Sequence, residues 1–120
     1  MATYLGLLRF TDQGIRKVKD TTKRAKDFRE FASKMNVKVR EMHWTMGRYD
    51  VVVVAEAPDD ETISRLALGL AMLGNVKGET LRAFSAQEMD KILKGLPWEG
   101  KENLIPDVVP AGNGTKLFLE

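Results

Sequence analysis

The sequence predicts an α+β domain of the ferredoxin-like type, in which strands and helices follow in the order β-α-β-β-α-β. Segments that alternate between apolar and polar residues, as strands do, are separated by two segments in which apolar residues recur every three or four positions, as in helices. A chain of 120 residues has room for one hydrophobic core. We therefore expect one antiparallel sheet with both long helices on one face, followed by an extra C-terminal helix and an extended tail.

The first strand and the first helix are predicted near the N-terminus. Residues 3–10 are mostly compatible with a strand, and Thr11 and Asp12 are suitable helix N-caps. A helix with one buried stripe follows, because its apolar positions step by three and four. Residues 20–22 are a suitable cap for a second segment, so we expect the helix to bend there. The stripe comprises Ile15, Val18, Thr22, Ala25, Phe28, Ala32 and Met35.

A hairpin is predicted next. Residues 37–46 alternate in polarity and predict the second strand. Gly47 and Arg48 predict a two-residue turn of type II′, in which glycine supplies the positive φ of the first central position. Residues 49–57 contain an unbroken valine run, which predicts a third strand at the centre of the sheet, buried on both faces. The residues expected under the first helix are Met42, Trp44 and Met46.

The second half of the domain repeats the helix–strand pattern. Pro58 ends the third strand, and the three acidic residues after it suit the positive end of a helix dipole. Gly74 and Asn75 predict the end of this second helix. Residues 76–85 predict the fourth strand, and residues 86–94 a short helix. The buried stripe of the second helix comprises Ile63, Leu66, Ala67, Leu70 and Ala71.

The domain is expected to span residues 1–95, and the tail residues 96–120. The tail contains several prolines and glycines, yet it also carries leucine, isoleucine, valine and tryptophan side chains. Because these side chains are too apolar for a solvated linker, we expect the tail to pack on the domain or on a partner subunit.

Composition excludes several kinds of chemistry. The chain has no cysteine, which excludes disulfides, thiolate zinc sites, iron–sulfur clusters and cysteine nucleophiles. Its one histidine excludes a metal site made of several histidines within one chain. The sequence also lacks a glycine-rich phosphate loop. We therefore expect neither a metal nor a cofactor.

Nucleic acid and membrane are not expected as partners. The basic residues concentrate in the first helix, but acids at i,i+4 positions alternate with them, which is typical of a solvated helix face. The third strand is valine-rich and acidic, unlike the basic and aromatic strand with which RNA-binding domains of this fold recognise bases. The longest apolar stretch, residues 66–73, is too short to span a bilayer, and the N-terminus lacks the apolar run of a secretory signal. We therefore expect a cytoplasmic protein.

The sheet face opposite the helices is the expected functional surface. Alternation along the strands places Leu5, Leu7, Val52 and Val54 in its middle, and an apolar patch of this kind is rarely left in water. The simplest cover is the same face of a second copy, in a homodimer or a larger homo-oligomer. The polar residues predicted to share this face are Arg9, Glu41, His43, Thr45, Asp50, Glu56, Thr80 and Arg82.

Four of these residues are candidates for lining a ligand site between the two sheets: Arg9, His43, Asp50 and Arg82. His43 is also the candidate catalytic residue, as a general base. The alternative for His43 is a hydrogen-bonded histidine at a subunit interface. Asp50 and Glu56 are expected to form interface salt bridges with Arg9 or Arg82, and Asp50 can also fix the turn by accepting backbone N–H bonds.

The run Gly47, Tyr49, Asp50 resembles the signature of the GYD family, and further segments agree with it in order. Residues 4–14 resemble the opening strand of the family, residues 56–60 its Glu-Ala-Pro run, and residues 73–84 its closing segments. The resemblance covers about residues 3–94 and implies a dimeric α/β-barrel of ferredoxin-like subunits.

The resemblance implies little about activity, because related dimeric α/β-barrels include enzymes and ligand-sensing domains alike. The leading hypothesis is a homodimer that binds a small organic ligand between its sheets. The alternatives are a cofactor-independent enzyme, similar to a monooxygenase or an isomerase and using His43, and a structural or assembly subunit without a ligand.

Overall fold

The computed structural model describes residues 1–97, and it confirms the α+β ferredoxin-like prediction. Its four strands form one antiparallel sheet in the order β2-β3-β1-β4, with β1 and β3 at the centre. The elements are β1 (Ala2–Phe10), α1 (Asp12–Arg16), a short 3-10 helix (Val18–Asp20), α2 (Thr21–Lys34), β2 (Lys38–Trp44), β3 (Val51–Ala57), α3 (Asp60–Met72), β4 (Val76–Ala83) and α4 (Ala86–Lys94).

The chain divides into two compact units, Met1–Phe84 and a second unit that begins at Ser85. The second unit starts with α4, which spans the residues predicted for it. A capping box starts this helix, because the Ser85 hydroxyl accepts a hydrogen bond from the Glu88 N–H while the Glu88 carboxylate accepts one from the Ser85 N–H. The domain limits 1–95 and 96–120 stay a prediction, and residues 98–120 of the predicted tail lie outside the described residues.

The first predicted helix is interrupted where the sequence indicated. Thr11 is the N-cap of α1, and its hydroxyl accepts a hydrogen bond from the Gly14 N–H at 3.0 Å. The 3-10 helix then separates α1 from α2. α2 ends before Asn36, whose φ of +63° lies in the left-handed region that terminates helices.

The core lies between one sheet face and the two long helices, as predicted. Tyr4, Val51, Val53 and Ala55 are buried on the sheet side, which we call the helix face. α2 packs over β2, whereas α3 packs over β4 and β3. The helices contribute Ala32, Ile63 and Leu66 as their buried core residues.

A β-bulge changes the predicted alternation in β2. Val39 pairs with Ala55 on the helix face, whereas Glu41, two residues later, pairs with Val54 on the opposite face. The alternation predicted over residues 37–46, which would put Val39 and Glu41 on one face, is therefore wrong at this point, because the extra residue, Arg40, shifts the register by one. Beyond the bulge, Glu41 and its strand neighbours follow the predicted alternation.

The register of β4 is also one residue away from the prediction. Arg82 pairs with Tyr4, and Thr80 pairs with Gly6, so both lie on the helix face of the sheet. The prediction that Thr80 and Arg82 share the open face is wrong. Alternation alone does not determine whether the odd- or the even-numbered residues of an edge strand face the core. A shift of the pairing by one residue moves every side chain of the strand to the opposite face. The β4 residues on the open face are Lys77, Glu79, Leu81 and Ala83.

The β2–β3 connection is longer than the predicted two-residue turn. The Thr45 N–H donates to the Asp50 carbonyl at 2.9 Å and closes a loop around residues 46–49. Gly47 has the predicted positive φ, at +98°. Met46 is 97% exposed in this loop, so its predicted place under the helix is wrong. The loop extends because β3 starts at Val51 and not at residue 49.

The loop before β4 is tied to the start of α1. The Thr11 N–H donates to the Asn75 carbonyl at 3.1 Å, and the Thr11 hydroxyl donates to the Gly74 carbonyl at 2.5 Å. Gly14 is buried against the same loop, and a Cβ atom at this position would lie 1.9 Å from the Asn75 carbonyl oxygen. The two segments therefore approach so closely that only glycine fits at position 14.

Candidate functional site

The open face of the sheet carries an apolar strip that crosses the two central strands and reaches β4. Direct cross-strand pairing joins Leu5 to Val54 and Leu81, and Leu7 to Val52. Four of the five side chains are half-buried in a single chain, and Leu81 is exposed. The apolar strip comprises Leu5, Leu7, Val52, Val54 and Leu81.

One end of the apolar strip is bounded by Arg9, Tyr49 and Glu79. The Arg9 guanidinium lies 5.2 Å from the centre of the Tyr49 ring, within range of a cation–π interaction. The Tyr49 hydroxyl donates a hydrogen bond to the Glu79 carboxylate at 2.9 Å. The tyrosine of the Gly-x-Tyr-Asp run thus links the β2–β3 loop to β1 and β4.

The β2 side of the apolar strip carries two further contacts between ionisable side chains. His43 Nε2 lies 3.2 Å from Glu41 Oε1, and Arg40 Nε lies 3.0 Å from Glu56 Oε2. Within the chain, Glu56 therefore pairs with Arg40 of the bulge, and its interface salt bridge to Arg9 or Arg82 stays a prediction. The side chain of His43 is 65% exposed.

His43 is separated from the Arg9, Tyr49 and Glu79 end of the strip. His43, Val52, Leu7 and Glu79 form one row across the four strands. Three strand spacings place His43 about 14 Å from Glu79. Within a single chain, the predicted general base has Glu41 beside it, and Val52 and Leu7 lie between it and Glu79.

Asp50 has a structural role at the end of β1. Its carboxylate accepts a hydrogen bond from the Phe10 N–H at 2.9 Å, and its own N–H donates to the Leu8 carbonyl at 2.8 Å. Asp50 accepts a backbone N–H bond, as predicted, although the donor belongs to β1 and not to the turn. The ion pairs found among residues 1–97 do not include Asp50.

Replacing Asp50 by alanine is expected to destabilise the fold by about 1–3 kcal/mol, because the Phe10 N–H loses its acceptor. Asp50→Asn is the matched control, since its amide oxygen can still accept this bond, and we expect it to retain most of the stability. Urea denaturation of the three proteins measures the difference. Equal midpoints for Asp50→Ala and the wild type would contradict this role.

Arg82 lies apart from the other three predicted ligand residues. Its guanidinium is 4.5 Å from the centre of the Phe84 ring and 5.7 Å from that of Tyr4, on the helix face. Its Nη1 atom donates to the Thr3 carbonyl at 3.3 Å and also to the Ala83 carbonyl. The structure therefore brings Arg9 and Asp50 to one end of the sheet, keeps His43 on the open face, and places Arg82 on the opposite face.

Two groups with shifted pKa values, Tyr4 and Asp59, stabilise the start of α3. The Tyr4 hydroxyl donates to Asp60 at 2.5 Å, and this hydrogen bond, together with burial, raises the pKa of Tyr4. The Asp59 carboxylate accepts hydrogen bonds from Thr62, which lower the pKa of Asp59. Asp59 is the N-cap of α3, so this shift has a structural cause.

A cavity of about 610 Å³ lies on the other side of the sheet, between the helix face and helices α1, α2 and α3. We call it the helix-side cavity. Because α2 lies over β2 and α3 over β4, the sheet between them is incompletely covered. The apolar residues lining the cavity are Leu8, Phe10, Ala25, Phe28, Phe31, Met42, Trp44, Val51, Val53, Leu66, Leu70, Leu73 and Val76.

A few polar side chains complete the lining. Trp44, 42% exposed, donates its indole N–H to the Thr21 hydroxyl at 3.0 Å. The polar residues are Lys17, Thr21, Arg24, Asp27 and Asn75. The sequence predicted Phe28, Met42, Trp44, Leu66 and Leu70 as core, and the periodic pattern contains no signal that they leave a space unfilled.

A second cavity, of about 250 Å³, lies under α3 and shares six lining residues with the larger one: Leu8, Phe28, Val53, Leu66, Leu70 and Val76. Among residues 1–97, no three or more histidine, aspartate or glutamate side chains are grouped as metal ligands. None of the helices described is long and apolar enough to cross a membrane.

Comparison with known proteins identifies the family. The model of the GYD domain family matches residues 4–93. A relative from Thermus thermophilus, named glutamine synthetase and cystathionine beta-lyase binding protein, is 34% identical over 95 residues, which cover 78% of this chain and 100% of the relative. No solved structure matches the chain. The family match includes the signature loop and the strands on both of its sides, and the chain therefore belongs to the GYD domain family.

Proposed function

We propose that the chain is a cytoplasmic binding protein, which works as a homodimer and holds a small organic ligand in the helix-side cavity of each subunit. The observation that carries the proposal is the cavity itself. Its volume of about 610 Å³ falls within the range of roughly 300–1,000 Å³ typical of small-molecule sites. Its lining, mostly apolar with a few polar side chains, has the composition of such sites.

The apolar strip supports the homodimer. A contiguous apolar patch on a sheet is a typical interaction surface, and a two-fold axis allows one strip to cover its own copy. Several of the ionisable residues around the strip are paired within the chain, as Arg40 with Glu56 and Tyr49 with Glu79. Such residues suit the polar rim of an interface whose centre is apolar.

The helix-side cavity is a better ligand site than the space between two sheets that the sequence suggested. Two of the residues proposed for that space, Arg9 and His43, have neighbours of their own chain at Tyr49 and Glu41. Arg82 lies on the other face of the sheet. The helix-side cavity, in contrast, is concave within a single subunit.

The position of His43 favours binding over catalysis. It lies on the open face and is not among the residues that line the helix-side cavity. In this arrangement a ligand in the cavity would have no imidazole beside it. The Thermus relative is itself named as a binding protein for two enzymes, which supports a binding role for this chain.

Filling the cavity tests the proposal. Gly69 lines it, and a Cβ atom at this position would have no neighbour within 4 Å. We therefore expect Gly69→Leu to fold and to occupy part of the space, whereas Gly69→Ala leaves most of it open. In a thermal-shift screen with neutral, cationic and anionic apolar compounds, a ligand at 100 times its Kd stabilises the native state by about 2.7 kcal/mol.

At least one class of compound should stabilise the wild type and Gly69→Ala, and the response should be lost in Gly69→Leu. A wild type that responds to none of the compounds, or a Gly69→Leu variant that responds as the wild type does, would contradict the cavity as the ligand site.

A further inference from the structure

We propose that the ligand of the helix-side cavity is an amphipathic organic anion, an aliphatic chain that ends in a carboxylate. The inference rests on the proposed function, since it takes the cavity as the ligand site, and it adds the chemical class of the ligand. It follows from the charges on the cavity lining.

The charged side chains that line the cavity are two cations and one carboxylate: Lys17, Arg24 and Asp27. The carboxylate is already engaged, because Asp27 Oδ2 lies 3.3 Å from the ammonium group of Lys23 on the preceding turn of α2. Within the described part of the chain, neither Lys17 nor Arg24 forms an ion pair or a side-chain hydrogen bond. The cavity therefore offers two available positive charges and no free negative one.

The uncharged part of the cavity lining indicates the chemistry of the other end of the ligand. Most of it is formed by aliphatic and aromatic side chains, such as Phe28, Met42 and Leu70. An inorganic anion would leave this surface without a contact, and an apolar cation would meet the two like charges of Lys17 and Arg24. A molecule with one apolar end and one anionic end satisfies both parts of the lining.

The two cations line the same cavity from neighbouring segments of the chain. Lys17 follows α1, Arg24 belongs to the second turn of α2, and Thr21 lies between them in the sequence and also lines the cavity. Arg24 is half-buried, so its charge is less screened by solvent than that of the exposed lysines around it. A guanidinium and an ammonium group are both good hydrogen-bond donors to a carboxylate.

The test compares three ligands with one tail and different headgroups. Isothermal titration calorimetry of the full chain with decanoate, decanol and decyltrimethylammonium, each below its micelle concentration, gives the dissociation constants. We expect decanoate to bind at least ten-fold more tightly than decanol and the cation to bind more weakly than both. Equal affinities for the three compounds, or no binding of decanoate, would overturn the inference.

Two double variants separate the cavity charges from the overall charge of the chain. Lys17→Met/Arg24→Met removes the two cations and keeps apolar side chains in their places. Lys19→Met/Lys26→Met is the control, because it changes the net charge equally at exposed positions outside the cavity. We expect the first variant to weaken decanoate binding at least ten-fold with little change for decanol, and the control to bind both as the wild type does.

Equal losses in both double variants would contradict the role of Lys17 and Arg24. Failure of the inference differs from failure of the proposed function. If decanol binds, and Gly69→Leu abolishes its binding, while decanoate does not bind, the cavity remains the ligand site and only the anionic headgroup is wrong. If none of the three compounds binds, and no other compound of the thermal-shift screen does, both proposals fail.

Discussion

Gly14→Ala is expected to lower the stability of the domain by about 3 kcal/mol, at the upper end of the range for overpacking a close contact. The new Cβ atom would lie 1.9 Å from the Asn75 carbonyl oxygen and 2.9 Å from its carbonyl carbon. These are backbone atoms of the loop before β4, so no side chain can rotate away. Relief requires the loop to move and weakens the bond from the Thr11 N–H to the Asn75 carbonyl.

Gly69→Ala is the matched control, because the same methyl group enters open space there. Gly69 lies inside α3, where alanine is the better helix former, so this variant should gain about 0.5–1 kcal/mol. Thermal unfolding followed by circular dichroism measures the melting temperatures of both variants. In a domain of this size, each kcal/mol of stability shifts the melting temperature by about 4–8 °C. Equal melting temperatures for the two variants would contradict the close approach at Gly14.

Leu5→Glu is expected to convert the proposed homodimer into a monomer. Leu5 lies inside the apolar strip, between Val54 and Leu81 on the neighbouring strands. In the proposed dimer each copy would bury a carboxylate in an apolar interface without a partner, and the cost of burying such a charge is larger than most interfaces tolerate. In the monomer the same side chain faces water on the open face, so the fold should remain.

Leu68→Glu is the control for this variant, since it makes the same chemical change at a leucine of α3 that is 66% exposed. Light scattering after size-exclusion chromatography should give twice the chain mass of 13.5 kDa for the wild type and for Leu68→Glu, and the chain mass for Leu5→Glu. A monomeric wild type, or a Leu5→Glu variant that still elutes as a dimer, would contradict the proposed interface.

The sequence is most informative where the chemistry is local. Thr11 and Asp59 cap helices with their own side chains, and Gly47 has the positive φ of a turn, so their roles follow from a few neighbouring residues. The central position of β3 follows from its valine run, because a strand without polar alternation has to be covered on both faces. These features together are sufficient to predict the element order and hence the fold.

The faces of the two edge strands could not be predicted in the same way. The bulge at Arg40 puts Val39 on the helix face, and the register of β4 places Arg82 beside Tyr4 on the same face. Both depend on pairing between segments that are distant in the sequence, and edge strands carry too few buried residues to fix their parity from composition. Arg82 therefore lies on the face opposite to the one predicted for it.

The helix-side cavity was beyond prediction for a different reason. Apolar periodicity identifies Phe28 and Leu66 as residues that face the sheet, but it does not determine how far apart α2 and α3 lie above it. The space between them depends on which strands the two helices cover, and these are β2 for α2 and mainly β4 for α3. Lys17 and Arg24 become candidate ligand contacts only once the cavity that they line is known.

The most direct test of the ligand site is methyl NMR spectroscopy of the isotope-labelled full chain during titration with decanoate. Binding in the helix-side cavity predicts shifts of the methyl signals of Val53, Leu66 and Leu70, which line it, while Leu5 and Leu7 on the open face stay unchanged. Shifts confined to the methyl groups of Leu5 and Leu7 would place the ligand between the sheets and contradict the helix-side site.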